Sequence, residues 1–98
     1  MPVSRVALVL GAAGSASQIK ALQRDDVDVL VAGETREWET VEYVRDAVAL
    51  GKKKALILTG HAASEEAGMR FCAQWLETFV KDAPVGFIPA GDPFAPGA

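Results

Sequence analysis

Three short aliphatic runs, each closed by a glycine or a threonine-glycine pair, constrain the fold of this chain more than any other feature. They span residues 5–10, 28–32 and 55–58. The first run is β-branched and aliphatic and lacks a helical period, which is typical of a strand buried on both faces of a parallel sheet. The second run is likewise predicted to be a buried strand, and the third is predicted to be a strand. The intervals between the runs are long enough for the helical crossovers that parallel strands require.

Helical periodicity fills the first two intervals. One short helix is predicted to begin at Ser15, whose hydroxyl favours an N-cap, and to continue to about Arg24, where Asp25-Asp26 breaks it. A second begins near residues 34–37 and stops at Gly51. Its predicted packing face consists of Trp38, Val41, Val44, Ala47 and Val48.

A third helix is predicted over about residues 64–82. Glu65 and Glu66 in its first turn would match the helix dipole. Its core stripe is predicted to consist of Met69, Cys72, Ala73, Leu76, Phe79 and Val80. Phe71 and Trp75 add a second apolar ridge, which indicates either a broad core face or a subunit interface anchored by Trp75.

The order of these segments predicts the fold class. With residues 85–88 as a fourth strand, the pattern β-α-β-α-β-α-β indicates an α/β domain with a mainly parallel sheet and helices on its faces. A chain of 98 residues has room for one such domain. We therefore assign residues 1–90 to a single domain and residues 91–98, which are rich in proline and glycine, to a tail.

Composition excludes several partners and compartments. The formal charge is −3 and the basic cluster Lys52-Lys53-Lys54 is short, so we expect no nucleic-acid binding and interpret the cluster as a solvated helix-to-strand turn. No apolar run approaches the roughly 20 residues of a membrane span. Cys72 is the single cysteine, so no intrachain disulfide can form, and we expect a cytoplasmic protein.

Three segments are predicted to reach the carboxyl edge of the sheet, where ligands bind: the loop from Gly11 to Ser15, the pair Gly33-Glu34, and residues 60–65. The loop from Gly11 to Ser15 indicates either a tight turn of small residues or a phosphate contact, although it lacks the lysine of a P-loop. His61 and Glu65 are four residues apart, so a helix would bring both side chains within reach of one ion. The spacing alone fits a surface ion pair as well as a metal site.

Several segments together resemble one known family. Gly60-His61 followed by Ser64-Glu65 is similar to the Gly-His-x-x-Thr/Ser-Glu signature of the dinuclear-metal-centre family, the GTP cyclohydrolase I type 2 homologues (NGG-interacting-factor-three-like). Residues 28–34 resemble its Asp-hydrophobic-Thr-Gly-Glu segment, residues 6–15 its preceding strand and loop, and residues 92–94 its tail. The likeness extends over nearly the whole chain and matches the C-terminal half of the family domain.

The resemblance implies a site that this chain holds only in part. His61 and Glu65 match two metal ligands, and the family site contains two divalent transition-metal ions, for which zinc, manganese and iron are candidates. The family's N-terminal His-rich motif is absent, because His61 is the only histidine. Glu34 and Ser15 are candidates for a second-shell or substrate contact. A homo-oligomer in which a two-fold axis brings together two copies of His61 and Glu65 would complete the ligand set.

Two functions follow from the resemblance and the apolar third helix. The first is a metal-dependent, hydrolase-like protein, or the C-terminal half of one, acting on a nucleotide-like or phosphate-containing small molecule. The second is a non-catalytic, oligomeric assembly or regulatory module. The residues identify neither a catalytic group nor a particular substrate.

Overall fold

The chain folds around a parallel sheet of three short strands. The computed structural model describes residues 1–91, 93 and 94. The strands are β1, Val6–Val9; β2, Val29–Ala32; and β3, Ala55–Leu58, in the order β1-β2-β3. Val6 pairs with Val29, which pairs with Ala55, so the carboxyl ends of the strands lie side by side.

In the described part of the chain, three α-helices and one π-helix connect and follow the strands. Helix α1 is Ser15–Leu22, a π-helix at Glu37–Val41 continues into α2 at Glu42–Ala49, and α3 is His61–Glu77. The predicted α/β class with parallel strands is therefore confirmed. Within the described residues, none of these helices combines the length and apolar character needed to span a bilayer.

Helices α1 and α2 cover one face of the sheet. Leu22 of α1 packs on Leu30 and Ala32 of β2, and all three are at most 1% exposed. Because the strands lie in chain order, right-handed crossovers place both connecting helices on the same face. The other face presents Leu8 and Ile57, which are 65% and 51% exposed. The prediction that the first run is buried on both faces is therefore wrong for the single chain.

The π-helix changes which side chains of the second helical segment face inwards. A π turn closes i→i+5 hydrogen bonds and so shifts the helical phase by about one residue. Thr40 is fully buried, whereas Trp38, which we predicted to pack, is 74% exposed. Val44 contacts the core as predicted, but Val48 is 52% exposed. The predicted packing face is thus correct only in part.

Helix α3 begins earlier than predicted and none of its residues is buried. The predicted core stripe is at most partly buried, as at Cys72 and Leu76, and the second ridge is open to solvent. Met69, Phe71, Trp75 and Phe79 are each more than half exposed. Glu65 and Glu66 lie beyond the first turn, so the predicted match to the helix dipole is wrong. A broad core face is also wrong for the chain on its own, and the interface remains a prediction.

Residues 85–88 form neither helix nor strand, so the predicted fourth strand is wrong. The segment lies beside α3, where the guanidinium carbon of Arg70 is 5.0 Å from the centre of the Phe87 ring. An arginine over an aromatic face is a favourable cation–π contact, and here it holds the segment against the helix instead of the sheet. Of the predicted tail and the family-like residues 92–94, only residues 91, 93 and 94 lie within the described part of the chain.

Candidate metal centre

The loops that follow the three strands meet at the carboxyl edge of the sheet, as the sequence predicts. The backbone N–H of Glu34 donates to the carbonyl of Gly11 at 3.0 Å, and that of Gly60 donates to the carbonyl of Gly33 at 3.0 Å. These bonds extend the ladder beyond the strands and fix the spacing of the loops. Glu34 and the first turn of α3 are thereby placed next to each other.

His61 lies between two carboxylates at this edge. Its Nδ1 is 2.6 Å from Oε1 of Glu34, and its Nε2 is 2.9 Å from Oε2 of Glu65. Because α3 begins at His61, Glu65 is one helical turn further along the same side, as its spacing predicts. All three side chains are partly open to solvent, with exposed fractions of 44% for His61, 58% for Glu34 and 51% for Glu65.

The carboxylates of Glu34 and Glu65 contact opposite nitrogens of the His61 ring, so the three side chains cannot all bind one ion. The lone pairs of Nδ1 and Nε2 point away from each other, so Glu34 and Glu65 do not converge on one point. In residues 1–91, 93 and 94, no group of three or more His, Cys, Asp or Glu side chains is arranged to hold a metal ion. Of these three side chains, only those of His61, through Nε2, and Glu65 can contact the same ion.

The neighbouring carboxylates raise the pKa of His61 above its ordinary value. The hydrogen bond to Glu34 is the largest cause, and partial desolvation of the ring opposes it. The charges of Glu65 and Glu34, and the hydrogen bond to Glu65, add smaller increases. A protonated ring donates from both nitrogens, so each carboxylate gains a charge-assisted hydrogen bond.

We expect Glu34→Gln to lower the pKa of His61 in the metal-free chain more than Glu65→Gln does, because the Glu34 hydrogen bond is the largest cause of the shift. His61 is the only histidine, so its imidazole signals in an NMR titration are assigned without ambiguity. Glu39→Gln is the control, since Glu39 pairs with Arg36 and carries the same charge. If Glu39→Gln lowers the pKa of His61 as much as Glu34→Gln does, the shift comes from the overall charge of the protein and not from the contact with Glu34.

The raised pKa also predicts a dependence of folding stability on pH. A group whose pKa is higher in the folded state stabilises that state when it is protonated. The contribution of His61 is therefore fully present below its unfolded pKa of about 6.5 and is lost as the pH rises through the higher folded value. Urea unfolding at a series of pH values across this range should show that the free energy of unfolding falls as the pH rises in the wild type. The fall should be smaller in Glu34→Gln.

Ser64 joins two of the loops in a way that sequence analysis did not identify. Its Oγ accepts a hydrogen bond from the backbone N–H of Gly11 at 2.9 Å and donates to the carbonyl of His61 at 2.7 Å. A hydroxyl three residues after His61 was visible in the motif, but its link to the first loop depends on the tertiary structure. Ser64 thereby fixes the start of α3 against the end of β1.

Ser15 lies away from these contacts, at the start of α1. The residue is 6% exposed, and its Oγ is buried without a hydrogen-bond partner among the described residues. Gly14 is the N-cap residue of α1 and no side chain caps the helix, so the predicted N-cap at Ser15 is wrong. A second-shell or substrate contact of Ser15 therefore stays a prediction, and among the described residues no hydrogen bond joins its side chain to His61, Glu34 or Glu65.

Comparison with known proteins places the chain in a family. No curated protein and no solved structure matches it. The sequence profile of one family, described as Duf34/NIF3 (NGG1p interacting factor 3), matches residues 1–93. That range includes all three strands and the His61–Glu65 segment, and it confirms the family that the motifs resemble. The chain belongs to the Duf34/NIF3 family.

Proposed function

We propose that this chain contributes one half of a divalent-metal site in a hydrolase-like protein. The observation that carries the proposal is the pair His61 Nε2 and Glu65 Oε2, which lie 2.9 Å apart at the edge of the sheet where α/β proteins bind ligands. Imidazole nitrogen and carboxylate oxygen are common ligands of zinc, manganese and iron.

The geometry of the pair fits direct coordination of one ion. Two ligand atoms about 2.1 Å from the same ion are roughly 3 to 3.4 Å apart at the angles of octahedral or tetrahedral coordination. The observed separation of 2.9 Å needs only a small adjustment to reach this range. Both side chains are partly exposed, so an ion would have access to them from solvent.

Glu34 supports the proposal from the other side of the ring. Histidine ligands of metals commonly donate their second ring N–H to a carboxylate, which fixes the tautomer and orients the ring. Glu34 Oε1 occupies that position at 2.6 Å from Nδ1. In the proposed site His61 and Glu65 hold the ion, and Glu34 keeps the Nδ1 proton so that Nε2 is free to coordinate.

The ion would supply Lewis acidity to a water molecule or a phosphoryl oxygen. The family resemblance favours a nucleotide-like or phosphate-containing small molecule as the substrate. A hollow of about 250 Å³ is lined by His61 together with Gly60, Ala62, Ala63, Pro93 and Phe94. Its lining contains no lysine or arginine among the described residues, so the proposal assigns no triphosphate clamp and no preference for GTP.

Two ligands from one chain make an incomplete site, since catalytic zinc usually has three protein ligands. A second copy related by a two-fold axis would contribute another His61 and Glu65. The proposed functional unit is therefore an oligomer in which the sites lie at or near an interface. A chain that carries the N-terminal ligands of the family would be the alternative source.

The test is elemental analysis of metal content together with mass in solution, for wild type and His61→Ala. About one or more transition-metal ions per dimer in the wild type, lost in the variant without loss of folded protein, is the expected result. Glu39→Gln serves as a control, because it removes an acidic charge outside the site. If the purified wild-type protein contains no metal, the proposal that a second copy of the chain completes the site is wrong.

A second candidate function, an oligomeric assembly module without catalysis, is favoured by the apolar surface of α3. Trp75 packs edge-to-face on Phe79 with ring centres 4.9 Å apart, and both side chains are 55% exposed. Exposed aromatic clusters of this kind are typical of the centre of a protein interface. The uncovered sheet face, with Leu8 and Ile57, adds a second apolar surface on the same chain.

Under this second function, Trp75→Ala should raise the dissociation constant of the oligomer by about 30-fold or more, as expected for an aromatic anchor. Analytical ultracentrifugation over a concentration series would measure the change. Trp38→Ala is the matched control, because Trp38 is also exposed, at 74%, but lies in the π-helix. Equal effects of the two substitutions would argue against α3 as the interface.

A further inference from the structure

A completely buried glutamine lies behind the candidate metal centre. Gln18, in α1, is 0% exposed, and α1 otherwise buries Ser15 and Leu22 on the same side. Burying an amide is unfavourable unless its polar atoms find partners. The hydrogen-bond partners of Gln18 should therefore explain why a polar side chain is buried at this position.

Both ends of the Gln18 amide are bonded to the segment that carries Glu34. Its Nε2 donates to the backbone carbonyl of Glu34 at 2.9 Å. Its Oε1 accepts from the hydroxyl of Thr35 at 2.6 Å and from that of Thr40 at 2.7 Å. Two donors fill the two lone pairs of Oε1, so the orientation of the amide is fixed.

The π-helix explains how Thr40 reaches this cluster. Its wider turn buries Thr40 completely and leaves Trp38 outside. The cluster therefore joins three parts of the chain: α1 through Gln18, the loop after β2 through Thr35, and the π-helix through Thr40. A local departure from α-helical geometry is used here to place one hydroxyl on one amide.

The backbone of Glu34 is consequently held on both sides. Its N–H donates to the carbonyl of Gly11 at 3.0 Å, and its carbonyl accepts from Gln18. With the main chain fixed, only side-chain rotation remains for bringing the carboxylate to Nδ1 of His61, where it lies at 2.6 Å. The Gln18 amide and the His61 ring are thus connected through one residue.

We infer that Gln18 is a positioning residue of the metal centre: with Thr35 and Thr40 it fixes the backbone of Glu34, and through Glu34 it sets the orientation and tautomer of His61. This inference rests on the proposed function for its effect on metal binding. The hydrogen bonds that join Gln18 to Glu34 and Glu34 to His61 do not depend on a bound metal. Gln18 touches neither ligand directly, so it acts only through Glu34.

A double-mutant cycle in zinc affinity tests the inference. Gln18→Met keeps the length of the side chain and removes its hydrogen bonds, and it should weaken zinc binding by about tenfold, the lower end for loss of an outer-shell partner. In a Glu34→Ala background the same substitution should change the affinity less than about twofold, because the residue through which it acts is gone.

Two further variants separate positioning from general loss of structure. Thr40→Val removes one donor from the cluster with little change in shape and should weaken zinc binding in the same direction. Thr59→Val is the control, since Thr59 also donates its hydroxyl to a backbone carbonyl, that of Ala32, at the same edge of the sheet. Equal weakening by Gln18→Met in both backgrounds, or by Thr59→Val, would overturn the inference.

A metal-free measurement keeps the inference testable if the wild type binds no zinc, a result that would refute only the proposed metal site. The ¹⁵N chemical shifts of the His61 ring report which nitrogen carries the proton when the ring is neutral. Gln18→Met should move the proton from Nδ1 towards Nε2, as Glu34→Ala does, and the double variant should resemble Glu34→Ala alone. Unchanged shifts in Gln18→Met would refute the positioning role.

Discussion

Gly33→Ala is expected to destabilise the chain by about 3 kcal/mol, the upper end of the range typical of substitutions that overpack a closely packed site. A Cβ at position 33 would lie 2.5 Å from the carbonyl oxygen of Gly11 and 2.6 Å from its nitrogen. It would also lie 2.6 Å from Oγ of Ser64. Two of these three atoms belong to the backbone, so they cannot yield without separating the loops that form the site.

Urea unfolding of Gly33→Ala measures this effect, and Gly68→Ala is its matched control. Gly68 lies within α3, and a Cβ there would meet nothing within 4 Å. Alanine is about 1 kcal/mol more favourable than glycine inside a helix, so the control should be as stable as the wild type or more so. A stable Gly33→Ala protein would mean that the loops are not packed as closely as described.

The carboxyl edge of the sheet could be predicted from sequence because it depends on local patterns. Each aliphatic run ends in a glycine, and parallel strands joined by helices must end at one edge. The spacing of His61 and Glu65 likewise needs only the geometry of a helix. Those two residues and Glu34 therefore come together as their positions along the chain indicate.

Other features could not be predicted because they depend on long-range contacts or on atoms outside the chain. The π-helix, which buries Thr40 and exposes Trp38, follows from a partner in α1 that is distant in sequence. Valine and leucine runs indicate strands buried on both faces, yet Leu8 is 65% exposed because both crossover helices lie on the other face. Apolar pattern alone does not reveal whether the covering element belongs to the same chain.

At the proposed metal site, Gly11→Ala is expected to weaken zinc binding by about tenfold or more while the chain stays folded. Displacing a ligand should cost at least as much affinity as removing the residue that orients it. A Cβ at position 11 would lie 2.5 Å from Oε1 of Glu65 and 3.6 Å from Nε2 of His61. The carboxylate is the end of a flexible side chain, so it would rotate away and leave Nε2 without its neighbour.

Gly14→Ala separates this steric effect from backbone strain. Gly11 and Gly14 both have positive φ, at 66° and 88°, in the same loop, but a Cβ at Gly14 would meet nothing within 4 Å. Each substitution should cost about 1–3 kcal/mol of stability, because a residue with a side chain is strained at positive φ, and Gly14, with ψ at 160°, lies in a region that only glycine occupies readily. Zinc titration should then show weakened binding for Gly11→Ala only. Equal weakening in both variants would mean that the loop's conformation matters to the site and not the contact between Gly11 and Glu65.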